Sequence, residues 1–112
     1  MRTPREVADE QLIVYNNLDI DGYCALFHDD ADLVMLPAGD VVSVGLPAIR
    51  ERYVQRFATP GLRCEVTNRY EIGDTAVDVE IVFADGREPE HIIALYTVKD
   101  GEIARISFLR DG

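Results

Sequence analysis

Six polar residues interrupt otherwise apolar stripes of the sequence: Gln11, Tyr15, Tyr53, Asn68, Tyr96 and Arg110. A few polar anchors among apolar walls are the usual make-up of a small-molecule site. Phe27, Met35, Phe57, Ala94, Ile106 and Phe108 supply the walls. Together they point to a ligand with an apolar body and one polar or anionic end. Arg110 is the residue for that end, because a guanidinium stays charged and grips carboxylates or enolate-like oxygens bidentately. Plainer roles compete for each residue. Buried tyrosines generally just find a partner for their hydroxyl, Gln11 can reach water from the edge of its stripe, and Arg110 can pair with a surface acid. His28, with Asp29, Asp30 and Asp32 beside it, could shuttle a proton. The reading preferred for that stretch is a solvated acidic turn, with His28 satisfying the carbonyls of a helix end. Cys24 and Cys64 have no His or Cys at metal-ligand spacing and read as small core hydrophobes of a reducing cytoplasm; no metal or cofactor is expected.

The elements that must position these residues follow from local signals. Thr3-Pro4-Arg5-Glu6 is a capping box with Pro at N1, and it predicts a helix over 4–17. Asp19 caps a second, short helix carrying Tyr23, Cys24 and Phe27 on its apolar face and ending at His28. Leu33-Val34-Met35-Leu36 is a continuous apolar run, the mark of a strand buried on both faces, and Val41-Val42-Ser43-Val44 returns beside it. Gly45 and Pro47 open a third helix, whose inner stripe is Ile49, Tyr53 and Phe57. The remainder, after Thr59-Pro60-Gly61, predicts a four-strand antiparallel meander. Its first strand should turn Leu62, Cys64, Val66, Asn68, Tyr70 and Ile72 inward. Asp85-Gly86 is a two-residue hairpin signal that sets Val79 opposite Ile92 and Val77 opposite Ala94. Val77, Val79, Ile81 and Phe83 then face in, as do Ile92, Ala94, Tyr96 and Val98. After a hairpin at Asp100-Gly101, Ala104, Ile106, Phe108 and Arg110 face in. Ile93, Leu95, Ile103 and Leu109 are left as an apolar patch outside, of the kind that marks an interface.

Composition narrows the class. The length suits one domain over 1–112, and 47% hydrophobic residues suffice for a core. Eleven basic against 21 acidic side chains give a net charge of −10, which would repel a phosphate backbone, so nucleic acid is not an expected partner. No apolar stretch is long enough to span a bilayer and the first residues do not read as a signal peptide, so neither a membrane nor an export route is expected and the location reads as cytoplasmic.

The order of these pieces resembles the nuclear transport factor 2-like superfamily, in particular its SnoaL-like and ketosteroid-isomerase-like branch. The residues carrying the resemblance are DIDGYCALFHDDADLV, then Gly45, then PAIRERY. The resemblance implies an α+β fold: a cone-shaped half-barrel of a curved, mainly antiparallel sheet with three packed helices and a ligand cavity between the layers. It also implies a homodimer through the outer sheet face. At the positions that carry ketosteroid isomerase chemistry in that branch, this chain has Gln11 for the donor tyrosine, Met35 for the general-base aspartate and Ala94 for the second, protonated aspartate. Tyr53 matches the supporting tyrosine, and Tyr96 is an aromatic partner. A methionine cannot abstract a proton, so ketosteroid isomerisation is not expected, and the missing pair of inward carboxylates speaks against epoxide hydrolysis. The function expected is binding of a small hydrophobic carbonyl or polyketide-like compound, with isomerase, cyclase or hydrolase activity upon it. The alternative is a non-catalytic dimeric ligand-binding or interaction module. An inward carboxylate or an unpaired histidine in the cavity would favour the enzyme; a dry interior with every polar group satisfied would favour the module.

Overall fold

The computed structural model describes residues 1–110. In chain order the elements are α1 (Pro4–Asn16), α2 (Ile20–Cys24), β1 (Phe27–Met35), β2 (Asp40–Val44), α3 (Leu46–Phe57), β3 (Arg63–Ile72), β4 (Thr75–Phe83), β5 (Glu90–Lys99) and β6 (Glu102–Arg110). The strands form one mixed sheet in the order β2-β1-β6-β5-β4-β3, antiparallel except where β1 lies parallel to β6. The fold is thus α+β, with three helices on a six-stranded, mainly antiparallel sheet. Helix α1 lies on β3, β4 and β5, α3 lies on β1 and β2, and α2 bridges the two helices. Among the described residues no helix is long and apolar enough to cross a membrane.

The helices begin where their caps dictate. Thr3 accepts from the Glu6 amide and the Glu6 carboxylate accepts from the Thr3 amide, closing the capping box. The Asp19 carboxylate accepts from the Gly22 amide. Gly45 sits at φ +85, a left-handed value that suits glycine, and its amide reaches the Ala31 carbonyl at 2.8 Å. Helix α3 then starts at Leu46, one residue before Pro47, and buries Ile49, Tyr53 and Phe57 as the stripe requires.

Four sequence expectations are corrected by the sheet. First, Phe27 to Ala31 are neither helix nor turn. They begin β1, and residues 28–31 bulge between the pairs Phe27↔Ile103 and Asp32↔Arg105. His28 therefore meets no helix end; its Nε2 lies 2.7 Å from the Lys99 carbonyl and its Nδ1 3.3 Å from Glu102. Second, the connection at Asp85-Gly86 is not a two-residue hairpin. The last β4–β5 pair is Val82↔Glu90, because the Asp85 amide is engaged by the Pro60 carbonyl at 3.0 Å and Pro89 has no amide to offer the ladder. The register moves by one residue, setting Glu80 opposite Ile92 and Asp78 opposite Ala94, and a one-residue slip exchanges the faces of a strand. Ala76, Asp78, Glu80 and Val82 face the helices and are buried; Val77, Val79, Ile81 and Phe83 face out. Third, β3 bulges at Thr67 between the pairs Val66↔Glu80 and Asn68↔Val79. Asn68, Tyr70 and Ile72 consequently turn to the outer face and are exposed, while Arg69 turns inward. Fourth, β6 bulges at Ala104, between the partners of Thr97 and Val98. Ile103 is therefore fully buried.

Candidate functional site

The register change brings two carboxylates into the interior. Asp78 is fully buried and Glu80 is 5% exposed. Charges of that kind persist only when partnered, and the two are partnered very differently. The inward turn of Arg69 at the β3 bulge sets its guanidinium against Asp78 as a two-pronged pair, Nε to Oδ1 at 2.6 Å and Nη2 to Oδ2 at 2.9 Å. Arg69 also reaches Asp9 on α1, which ties helix to sheet.

Among the described residues no cation pairs with Glu80 in this way. Its Oε2 accepts from the Tyr96 hydroxyl at 3.1 Å. Burial, reinforced by the charge of Asp78, pushes the Glu80 carboxyl up to about 7, against weaker lowering by Tyr96, Arg56 and Arg69. At neutral pH this group is divided between acid and base, which is the condition for moving protons in either direction. Around it stand tyrosines that stay protonated. Burial pushes the Tyr15 hydroxyl up to about 12 and raises Tyr23, Tyr53 and Tyr96. Tyr15 accepts from Arg56 Nε at 2.8 Å, which leaves its own proton to donate. The Tyr23 and Tyr53 rings meet tilted at 44° with centroids 4.4 Å apart, and Gln11 and Tyr53 flank the Tyr23 hydroxyl.

These groups enclose a cavity of about 20 Å³ lined by, among others, Gln11, Tyr15, Tyr53, Glu80, Tyr96 and Arg110. That is room for about one water molecule. Two buried polar atoms at the cavity have no protein partner among the described residues: one on the Gln11 amide and Nε of Arg110. Arg56, Val82 and Arg110 also wall a second cavity of about 220 Å³, nearer the surface, with Arg87, Glu88 and Glu90 on its other sides. Glu90 stands between the two arginines, 3.7 Å from Arg56 Nη2 and 3.5 Å from Arg110 Nη1.

Of the residues marked in the sequence, Gln11, Tyr15, Tyr53, Tyr96, Phe108 and Arg110 line the inner cavity. Gln11 is 4% exposed and does not sit at a wet edge. Phe27, Phe57, Ala94 and Ile106 are packed in the core behind it, and Met35 packs against that core, half-buried. Asn68 faces out. Sequence reasoning missed Glu80, Asp78, Arg69, Arg56 and Tyr23. Glu80 was hidden because alternating acids beside valines read as a solvent face. An arginine and a tyrosine on neighbouring strands, each able to partner a buried acid, were the available signal.

Elsewhere, an open cleft of about 570 Å³ passes His28, Asp29, Asp30, Lys99 and Glu102. It is roomier, but its histidine is already held by Lys99 and Glu102. Among the described residues no group of three or more His, Cys, Asp or Glu is placed to hold a metal ion. Around the inner cavity a carboxyl raised to about 7 shares the lining with the Tyr15 hydroxyl and the Arg110 guanidinium, a proton-exchanging group beside two donors.

Comparison with known proteins agrees with this architecture. The model of the SnoaL-like domain matches residues 9–106. Among solved structures, an uncharacterised cystatin-fold protein from Novosphingobium aromaticivorans is 27% identical, with a TM-score of 0.88 over 98% of this chain and 100% of its own. An NTF2-like protein of unknown function from Burkholderia xenovorans is 16% identical (TM-score 0.81, covering 96% and 81%). A protein from Catenulispora acidiphila with a ketosteroid isomerase-like fold, in complex with trimethylamine, is 17% identical (TM-score 0.77, covering 95% and 85%). No curated protein matches the chain.

Proposed function

The chain belongs to the SnoaL-like domain family, and we propose on that premise that it is an enzyme in which Glu80 shuttles a proton on a small carbonyl compound. The observation carrying this is a buried carboxyl, raised to about 7, that opens on a cavity lined by hydroxyl and guanidinium donors. Glu80 supplies from β4 the base that Met35 cannot supply from β1. Isomerisation and aldol-type cyclisation both begin by removing a proton beside a carbonyl, and Tyr15 with Arg110 would carry the charge that appears on oxygen. Two observations support a ligand of modest size: the inner and outer cavities share walls, and a fold neighbour holds a small molecule.

The test is hydrogen–deuterium exchange of small ketones and 1,3-dicarbonyls in heavy water, followed by proton NMR. Wild type should accelerate exchange, and Glu80→Gln should lose roughly a hundredfold or more of that acceleration, the usual worth of a positioned base. Equal exchange by both proteins overturns the assignment. The second reading, a non-catalytic module, draws on the 20 Å³ interior, too small for a substrate unless Arg56, Arg110 and Glu90 part. It predicts no exchange with any member of the panel.

The assembly proposed is a homodimer through the outer sheet face. Val77, Val79, Ile81 and Phe83 join Ile93, Leu95 and Leu109 there, opposed in cross-strand pairs such as Val79↔Ile93 and Val77↔Leu95. Exposed Tyr70 and Ile72 extend the same surface. An apolar face of this breadth is unusual on a monomer. Sedimentation should give twice 12.6 kDa at micromolar concentration, and Leu95→Glu should shift the protein to monomer without unfolding it. A wild-type monomer, or a dimer indifferent to Leu95→Glu and Ile93→Glu, overturns the interface.

A further inference from the structure

We propose that Arg56 and Arg110 form a recognition site for the carboxylate of a small organic acid, and that Glu90 occupies this site as an internal stand-in. The inference deepens the proton-transfer reading, since it names the class of molecule presented to Glu80. Arg110 Nη1 and Arg56 Nη2 both approach the same oxygen of Glu90, at 3.5 and 3.7 Å. Charge-assisted hydrogen bonds settle at about 2.7–2.9 Å, so both guanidinia are attracted but not fully engaged. Arg110 has capacity in reserve, because its buried Nε meets no protein acceptor among the described residues. Both arginines wall the outer and the inner cavity, so an anion held by them sits in the outer cavity, at the wall it shares with the inner cavity that Glu80 lines.

The occupant follows from the contact already present. What the two guanidinia converge on is a carboxylate, and the planar fork of arginine matches that group bidentately. Glu90 is the first residue of β5, follows Pro89 and is 36% exposed at its side chain, so it can swing toward water when a ligand carboxylate takes its place. An outer cavity of about 220 Å³ lies below the usual ~300–1,000 Å³ of drug-sized sites, which selects a small acid. The protein carries a net charge of −10, so a paired-arginine mouth is a local exception to its field.

The test is calorimetric titration of cinnamate, its neutral amide and inorganic phosphate into wild type, Arg110→Gln, Arg110→Lys and Glu90→Gln. Cinnamate should bind wild type and weaken roughly ten- to a hundredfold in Arg110→Gln, the range for a hydrogen bond to a charged group. Arg110→Lys should restore only part, because an ammonium lacks the fork. The amide should bind weakly and change little. Glu90→Gln should tighten cinnamate by up to about fivefold, the worth of a partly exposed ion pair. The site is overturned if neither wild type nor Glu90→Gln binds cinnamate by about 10 mM. It is also overturned if acid and amide bind alike, if Glu90→Gln weakens the acid, or if phosphate alone binds. Ketone exchange measured on the same samples separates the two readings. Exchange without acid binding removes the carboxylate site alone, and acid binding without exchange removes the role of Glu80 alone.

Discussion

Replacing Glu80 by glutamine should stabilise the protein by about 3 kcal/mol at pH 8.5 and leave it nearly unchanged at pH 4. The sign follows from the direction of the shift. In the unfolded chain the carboxyl titrates near its ordinary 4.5, and in the fold burial raises it to about 7. Below the lower value both states are protonated, so the side chain is a neutral hydrogen-bonded group in each. Between the two values the unfolded chain loses its proton while the native state keeps it, and stability falls as pH rises. Above the upper value the native state holds a buried anion, and the loss is complete at about 1.4 kcal/mol per pH unit of separation. Glutamine keeps the shape and can still accept from Tyr96, but has no charge to bury. Urea denaturation of both proteins from pH 4 to 8.5 would show two curves diverging through the window from about 4.5 to 7. A difference independent of pH would mean that Glu80 titrates normally. A residue that costs stability at working pH is what a functional site retains.

Arg69→Met should cost about 3–5 kcal/mol, a large share of the 5–15 kcal/mol by which a domain is ordinarily stable. The loss comes less from the missing attraction than from what remains behind. Asp78 is fully buried and Arg69 supplies both of its charged hydrogen bonds. Without the guanidinium, an uncompensated carboxylate sits under α1 beside another carboxylate. The double variant Arg69→Met with Asp78→Leu should recover most of the loss, since removing both ions removes the penalty as well. Equal destabilisation by the single and double variants would show that Arg69 acts by packing or through Asp9 instead.

The two variants bear on how legible this protein is. Helix starts were readable because each depends on a few neighbouring residues: Thr3 with Glu6, Asp19 with Gly22, Gly45 before Pro47. The stripe Ile49, Tyr53 and Phe57 needed only the helical repeat. Strand β4 resisted because its two faces differ little in apolar content. Ala76 and Val82 flank two acids on one side, while valines, an isoleucine and a phenylalanine occupy the other. Alternation alone sends the acids out. What decides is non-local: the tie from Asp85 to Pro60, the missing amide of Pro89, and partners for the acids on β3 and β5. A clue to the true register lies on β5. Ile93 and Leu95 had to face outward, and apolar outward residues on β5 ask for apolar partners on β4. Val77 and Val79 meet that demand; Asp78 and Glu80 do not. Tyr96 and Arg110 face inward because β5 and the end of β6 keep an unbroken alternation, while Tyr15 and Tyr53 follow the helical repeat of α1 and α3. Asn68 was misplaced by a bulge that no residue type announces.

The parallel pairing of β1 with β6 also sets a timetable. The meander β3 to β6 consists of neighbours in sequence and can zip together locally, hairpin by hairpin. Strand β1 cannot dock until β6 exists, because β6 stands between it and β5, with partners such as Leu33 and Ile106 far apart in sequence. Such long loops are the slow part of folding. During synthesis, α1 through β2 must therefore wait, unpaired on their sheet edge, while the rest of the sheet is made. Of the six described strands, the one made after the other five is the one that joins the two halves. A chain stopped short of Glu102 would hold nearly every helix and strand and still have no continuous sheet.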